Sequence, residues 1–147
     1  MRRLARFLAL PLWAQRDLAE AALCLFVARL LLFLPFRWLV RLIGRPQAIV
    51  KCGRIALATT ERPAVRSVRQ AILRVALRLP WRSSCLVRAL AARMMLKRRG
   101  LPSALQLGVK SETARGLAAH AWLKCGEIDV VGSESATEFT PIAVFDT

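Results

Sequence analysis

Two residues in this sequence have side chains and surroundings suited to nucleophilic chemistry, Cys85 and His120. Cys85 lies in "PWRSSCLVRALAARMMLKRRG", where Ser83 and Ser84 are favoured residues for capping the start of a helix. The run that follows contains no helix breaker before Gly100, so Cys85 falls in the first turn of a predicted helix. At that position the unpaired backbone N–H groups and the helix dipole favour a thiolate over a thiol.

His120 is the only histidine among the 147 residues, so it is the only imidazole available as a base for a cysteine. It lies in "LAAHAWLKCGEIDVV", where apolar residues flank a corner at Cys125-Gly126 or Gly126-Glu127. This pattern predicts a β-hairpin with His120 in the middle of its first strand. Both residues have a purely structural alternative. Cys85 would then be a packed apolar residue of the helix, and His120 a hydrogen-bonded residue of the core.

The elements that must position this pair begin with a helical block. Helices are predicted at Asp17 to Leu34, ended by Pro35, at "FRWLVRLIG", closed by Gly44, and at Arg62 to Leu79. The last of these has apolar residues at three- and four-residue spacing, which is typical of a helix packed beside the cysteine helix. The stretch from Arg45 to Glu61 has a weak pattern that indicates a short helix and loops.

A stranded block follows the helices. Strands are predicted at "SALQLGVK", "LAAHAWLK", "EIDVV" and "TPIAVFD". Helices and strands in separate blocks indicate an α+β fold, with N-terminal helices followed by a small antiparallel sheet. The length fits one domain over residues 1–147, mainly helical and basic over 1–79, with the cysteine helix and the sheet over 80–147.

The net charge of +15 is unevenly distributed along the chain. Residues 1–110 contain 22 Lys or Arg and 3 acidic residues, whereas residues 111–147 contain 2 and 6. A basic helical portion is either a solvated face or an attractor of acidic peptides, anionic membranes or nucleic acid. No helix-turn-helix, zinc-finger or RNA-binding signature is present, so no nucleic-acid partner is expected.

The four cysteines, at 24, 52, 85 and 125, are widely spaced and form no C-x-x-C pair. This spacing indicates a reduced, cytoplasmic protein without a zinc site, a disulfide framework or a cofactor. The opening "MRRLARFLALPLWAQRD" lacks a convincing cleavage site, so no signal peptide is expected. In "FRWLVRLIG", Arg37 and Arg41 flank Trp38, and peripheral association with the inner face of a membrane is an alternative to a core helix.

The run "PWRSSCLVRALAARMMLKRRGLPSALQLGV" followed by "AHAWL" resembles the peptidase part of the lasso-peptide biosynthesis B protein. That family is a transglutaminase-like cysteine peptidase, which removes the leader from a ribosomally made precursor peptide. The arginine- and leucine-rich opening with "LPFRWLVRLIG" extends the resemblance over almost the whole chain. The resemblance implies a papain-like or transglutaminase-like arrangement, in which Cys85 attacks a leader-peptide carbonyl and His120 transfers the proton. It also implies three partners: a precursor peptide, a separate leader-recognition protein and an ATP-dependent lasso cyclase.

A third residue normally orients the histidine, and members of the family usually carry an aspartate about a dozen residues beyond it. In this sequence the residue a dozen positions after His120 is Gly132, and the nearest acidic residues are Asp129 and Glu134. In a hairpin with a two-residue turn, Asp129 shares the face of His120, so Asp129 is the preferred third catalytic residue. There are three alternatives. Either Asp129 is a solvent-facing strand residue, or a bulge turns it to the other face of the sheet, or the pair is a Cys–His dyad whose histidine is held by a backbone carbonyl.

Two further classes of function are compatible with the sequence. One is a non-catalytic adaptor of the same fold, in which Cys85 is merely packed. The other is a basic protein that binds membrane surfaces or nucleic acid. Transglutaminase activity would use the same catalytic groups on glutamine amides, and only the wider resemblance favours hydrolysis.

Overall fold

The computed structural model describes residues 10–44, 57–112 and 116–146. The helices are α1 (Leu12–Leu31), α2 (Phe36–Ile43), α3 (Arg62–Ala76) and α4 (Cys85–Arg98). The strands are β1 (Ala104–Glu112), β2 (Gly116–Cys125), β3 (Ile128–Val131) and β4 (Thr140–Asp146), with a 3-10 helix at Ser133–Glu138. Helices followed by a small antiparallel sheet confirm the predicted α+β fold. The predictions for residues 45–56, including Cys52, lie outside the described residues.

The first helix begins earlier than predicted. It starts directly after Pro11 rather than at Asp17, and it ends at Leu31 rather than Leu34. Proline is tolerated beside the first turn, because the N–H groups there have no partner within the helix. The apolar run alone could not show this start, because the first two residues of α1, Leu12 and Trp13, are exposed.

The third helix, α3, buries the apolar face that the sequence predicts, but it is shorter than predicted. Val65, Val68 and Ile72 are fully buried, and the helix packs against both α1 and α4. It ends at Ala76, where the N–H of the capping residue Leu77 bonds to the carbonyl of Leu73. The three residues predicted to complete the helix form a turn instead.

The sheet has the strand order β3-β2-β1-β4, and every neighbouring pair is antiparallel. Gly108 of β1 is the register partner of His120 in β2. Cys125 pairs with Ile128, so the β2–β3 turn consists of the two intervening residues, the second of the two predicted corners.

One face of the sheet packs on the helices. Ala121, Leu123 and Cys125 of β2 are buried in one apolar cluster with residues of α1, α3 and α4. Because successive side chains of a strand point to opposite faces, His120 and Trp122 project from the other face. The histidine therefore lies on the side of the sheet away from the helical core.

A buried arginine joins α4 to the ends of two other elements. Arg93 is only 7% exposed. Its guanidinium donates hydrogen bonds to the carbonyls of Phe145 at 2.5 Å, Asp146 at 2.9 Å and Ile43 at 2.9 Å. Burial lowers the pKa of this guanidinium, and the carboxylate of Asp146 opposes that shift. The contacts fix α4 against the last strand and against the end of α2.

Candidate active site

Cys85 is the first residue of α4, as the sequence predicts. Ser84 caps the helix in an extended conformation, and its Oγ accepts a hydrogen bond from the N–H of Val87 at 3.4 Å. The Cys85 thiol is free and half-buried. The backbone N–H of Cys85 belongs to the first turn, whose donors have no acceptor within the helix. A free thiol on a partly exposed residue thus lies beside a donor of the kind that stabilises a developing oxyanion.

The start of α4 is reinforced by a buried serine and an arginine. Ser83 is buried, and its Oγ accepts a hydrogen bond from Nε of Arg88 at 2.9 Å. This bond turns the guanidinium of Arg88 back toward the first turn of the helix. The positive charge therefore adds to the positive end of the helix dipole near Cys85.

The other two described cysteines differ from Cys85. Cys24 and Cys125 are buried free thiols in the apolar core. Burial raises the pKa of both, and the carboxylate of Glu20 raises that of Cys24 further. Both thiols stay protonated at neutral pH and are inaccessible to reagents. Among the described cysteines, only Cys85 is partly exposed, and it lies at the start of a helix.

The ring of His120 is anchored by a backbone carbonyl. Its Nε2 lies 2.7 Å from the carbonyl oxygen of Gly132. A carbonyl oxygen only accepts hydrogen bonds, so the neutral ring carries its proton on Nε2 at this contact. The Nδ1 atom then has a free lone pair, which is what a general base requires.

Two aromatic rings contact the imidazole. The centroid of Phe139 lies 4.9 Å from that of His120, and the centroid of Trp122 lies 6.0 Å away. Nε1 of Trp122 donates a hydrogen bond to Oε1 of Gln106 at 2.9 Å, which fixes the indole. The indole lies across Gly108, where an added Cβ would be 2.8 Å from its ring. These contacts hold the imidazole in one orientation.

Gly132 can make its contact because it has no side chain. Its φ of +81° lies in the left-handed region, and an added Cβ would lie 2.5 Å from the carbonyl oxygen of Ala121. The sequence carried one signal of this role, since counting from His120 to the position of the usual aspartate ends on Gly132. The contacts of Trp122 and Phe139 had no such signal.

Asp129 shares the sheet face of His120, as the turn geometry predicts, but its carboxylate contacts another residue. Asp129 is the register partner of Lys124, and its Oδ1 lies 3.3 Å from Nζ of Lys124. The register between β2 and β3 shifts between Lys124 and Leu123, on the far side of this pair from the turn. The irregularity therefore does not turn Asp129 to the other face of the sheet. Lys124 is four residues from His120, or about 13 Å along an extended strand. Asp129 is therefore too far along the sheet to touch the ring in this structure.

Arg69 of α3 fixes the segment that carries these groups. Its Nη1 donates a hydrogen bond to the carbonyl of Asp129 at 3.0 Å, and its Nη2 lies 3.9 Å from Oε1 of Glu134. Glu134, the second acid considered for the triad, is exposed and faces Arg69 rather than the imidazole. The group that contacts His120 is thus the Gly132 carbonyl, which corresponds to the dyad alternative.

Cys85 and His120, both within the described residues, are not joined by a hydrogen bond. Cys85 packs against the helical core, whereas His120 projects from the opposite face of β2. Beside His120 the edge of β2 is not covered by β3, because their pairing ends at Leu123 and Val131. The described residues contain no cluster of three or more His, Cys, Asp or Glu side chains arranged to hold a metal ion.

Comparison with known families gives one match. The model of the Transglutaminase-like superfamily matches residues 30–144, which is more than half of the chain and includes Cys85, His120 and Gly132. Comparisons with curated proteins and with solved structures gave no match.

Proposed function

The chain belongs to the transglutaminase-like superfamily, and from that premise we propose that it is a cysteine peptidase with Cys85 as nucleophile and His120 as general base. Members of this superfamily are generally cysteine peptidases or transferases. The observation that carries the proposal is the contact between His120 Nε2 and the Gly132 carbonyl, because it leaves Nδ1 free to accept a proton. The free thiol of half-buried Cys85, at the start of α4, is the matching nucleophile.

The reaction would proceed in two steps. In the first, Nδ1 of His120 accepts the thiol proton while Cys85 Sγ attacks the peptide carbonyl. The tetrahedral oxyanion is stabilised by the backbone N–H of Cys85, and its collapse expels the amine, which takes the proton from His120. In the second step, water attacks the thioester with His120 again as base, which releases the acid product and the thiol.

Catalysis on this pair requires the thiol and the ring to approach each other. Short connections reverse the chain between α4 and β1 and again between β1 and β2, so β2 runs in the direction of α4. The first half of β2, which includes His120, then lies toward the Cys85 end of α4. Catalytic hydrogen bonds are often long or absent without substrate and form when substrate binds. We propose that the two groups approach each other transiently in the free protein, and that a peptide bound beside the first half of β2 holds them together.

For the substrate, we propose the leader region of a lasso-peptide precursor. The support is the resemblance of "PWRSSCLVRALAARMMLKRRGLPSALQLGV" and "AHAWL" to the peptidase part of the lasso-peptide biosynthesis B protein. A leader-recognition protein and an ATP-dependent cyclase would be its partners. The free thiols of the described cysteines suit a reducing, cytoplasmic setting.

The test is release of the leader from a precursor peptide encoded beside this gene, with the neighbouring leader-recognition protein present. Mass spectrometry should detect cleavage by the native protein and no cleavage by Cys85→Ala. The Cys24→Ala variant is the matched control, because its buried thiol lies outside the site. Undiminished cleavage by a folded Cys85→Ala protein would exclude the proposal. Formation of an amide bond to an added amine would indicate a transferase instead.

A second candidate is a non-catalytic member of the superfamily that binds the leader without cleaving it. The observation in its favour is the missing hydrogen bond between Cys85 and His120. In that case the native protein would bind the precursor peptide, Cys85→Ala would bind it equally well, and neither would cleave it.

A further inference from the structure

The outward face of α1 is apolar and exposed along its whole length. Exposed residues recur at three- and four-residue spacing, and Phe33 continues the row in the following turn. The row, called the α1 stripe below, consists of Leu12, Arg16, Ala19, Leu23, Phe26, Leu30 and Phe33. Phe33 is 78% exposed and Leu12 is 73% exposed.

This exposure is unusual because α1 also has an apolar inward face. Ala21, Leu25 and Ala28 are fully buried against α3 and α4. A surface helix of a soluble protein normally presents polar side chains to water on its outer side. The α1 stripe runs for about 30 Å at 1.5 Å per residue. Contiguous exposed apolar surface of this kind marks a site of interaction.

The charges around the stripe have one sign. The only acids of α1, Asp17 and Glu20, lie on its inner side, where Nη2 of Arg99 is 2.7 Å from Asp17 Oδ1 and 2.8 Å from Glu20 Oε2. The hydroxyl of Ser67 also donates to Asp17. Arg16 and Arg29 are exposed on the outer side. The stripe thus combines apolar side chains with positive charge and no exposed carboxylate.

The following helix, α2, is also exposed and basic. Arg37, Trp38 and Arg41 of α2 are exposed, and α2 contains no acidic residue. The guanidinium carbon of Arg41 lies 5.2 Å from the centroid of the Trp38 ring. Tryptophan beside arginine is a frequent combination where a helix lies in the headgroup region of a bilayer. Among the described helices, none is long and apolar enough to cross a membrane.

We propose that the α1 stripe and the exposed side of α2 form a surface that lies on anionic lipid bilayers. The apolar side chains enter the boundary between headgroups and acyl chains, and the arginines contact lipid phosphates. A second copy fits this surface less well, because it would oppose arginine to arginine with no exposed carboxylate on either helix. The inference does not depend on the chemistry of Cys85.

The test is flotation of the full chain with vesicles of neutral phosphatidylcholine and with vesicles that also contain phosphatidylglycerol. The native protein should float only with the anionic vesicles. Phe26→Ser with Phe33→Ser should lower the binding constant roughly tenfold or more, because two apolar side chains no longer insert. Leu77→Ser is the apolar control, since Leu77 is 83% exposed but lies at the end of α3.

A charge control separates this surface from general attraction to the basic chain. Arg37→Gln with Arg41→Gln should weaken binding more than Arg66→Gln with Arg74→Gln, which removes the same charge from the exposed side of α3. Circular dichroism should show that every variant is folded. Equal loss in both arginine pairs, or no flotation of the native protein, would overturn the proposal. The proposal would also be overturned if the protein does not bind vesicles but uses the α1 stripe to form an oligomer or a complex with the leader-recognition protein.

Discussion

Nε2 of His120 lies 2.7 Å from the carbonyl oxygen of Gly132. Gly132 occupies the sequence position at which the family that this chain resembles usually has an aspartate. A backbone carbonyl can fix the tautomer and the orientation of an imidazole, as a carboxylate does. Unlike a carboxylate, it brings no full negative charge to stabilise the imidazolium. The site therefore depends on the position of one peptide group, and that position depends on a residue without a side chain.

Gly132→Ala should reduce both stability and activity. An added Cβ would meet the carbonyl oxygen of Ala121 at 2.5 Å and would shift the Gly132 carbonyl away from His120. Gly116→Ala is the matched control, because Gly116 has a φ of +80° and open space around its Cβ position. Both variants should lose about 1 kcal/mol of unfolding free energy from backbone strain in urea titrations. Only Gly132→Ala should lose additional unfolding free energy and also peptidase activity. Equal effects of the two variants on stability and activity would argue against a role for the Gly132 carbonyl.

Asp129→Asn should change the cleavage rate by less than about threefold, because the Asp129 carboxylate pairs with Lys124 and not with His120. Lys124→Gln removes the other side of that pair and is the matched variant. The rate of leader release measures both. A loss of more than a hundredfold in Asp129→Asn alone would show that Asp129 is the third catalytic residue, as the sequence pattern predicts.

Iodoacetamide at limiting dose should label Cys85 before Cys24 and Cys125. Cys85 is half-buried, whereas burial raises the pKa of the other two thiols and blocks access to them. The measurement is peptide mapping in a Cys52→Ser background, which removes the thiol outside the described residues. Faster labelling of Cys125 in folded protein would show that the start of α4 does not activate its cysteine.

Arg93→Met should lower the unfolding free energy by about 3 kcal/mol, because three carbonyl groups at the ends of β4 and α2 lose a buried donor. Lys97→Met, on the exposed side of the same helix, is the control and should change it by less than about 0.5 kcal/mol. Urea titration measures both. Similar small losses in the two variants would mean that water replaces the Arg93 contacts at little cost.

The order and type of the described elements were predictable because periodicity and capping are local. The helix start predicted from Ser84 is confirmed. Of the two corners predicted for the hairpin, the structure has the one at Gly126-Glu127. The start of α1 was not predictable, because the exposed apolar residues of its outer face hide the boundary of the buried stripe. Contacts across the sheet were also beyond the sequence, since the stacking of Phe139 on His120 depends on the path of the 3-10 helix before β4.

The most direct measurement is the rate of Cys85 alkylation as a function of pH in the native protein and in His120→Ala. If the two residues act as a pair, loss of the ring should slow alkylation near neutral pH roughly tenfold or more, because an imidazolium neighbour helps to hold the thiolate. Asp129→Asn, with the ring intact, should keep the native profile. Identical profiles in native protein and folded His120→Ala would mean that Cys85 and His120 do not meet, and would contradict the cysteine peptidase proposal.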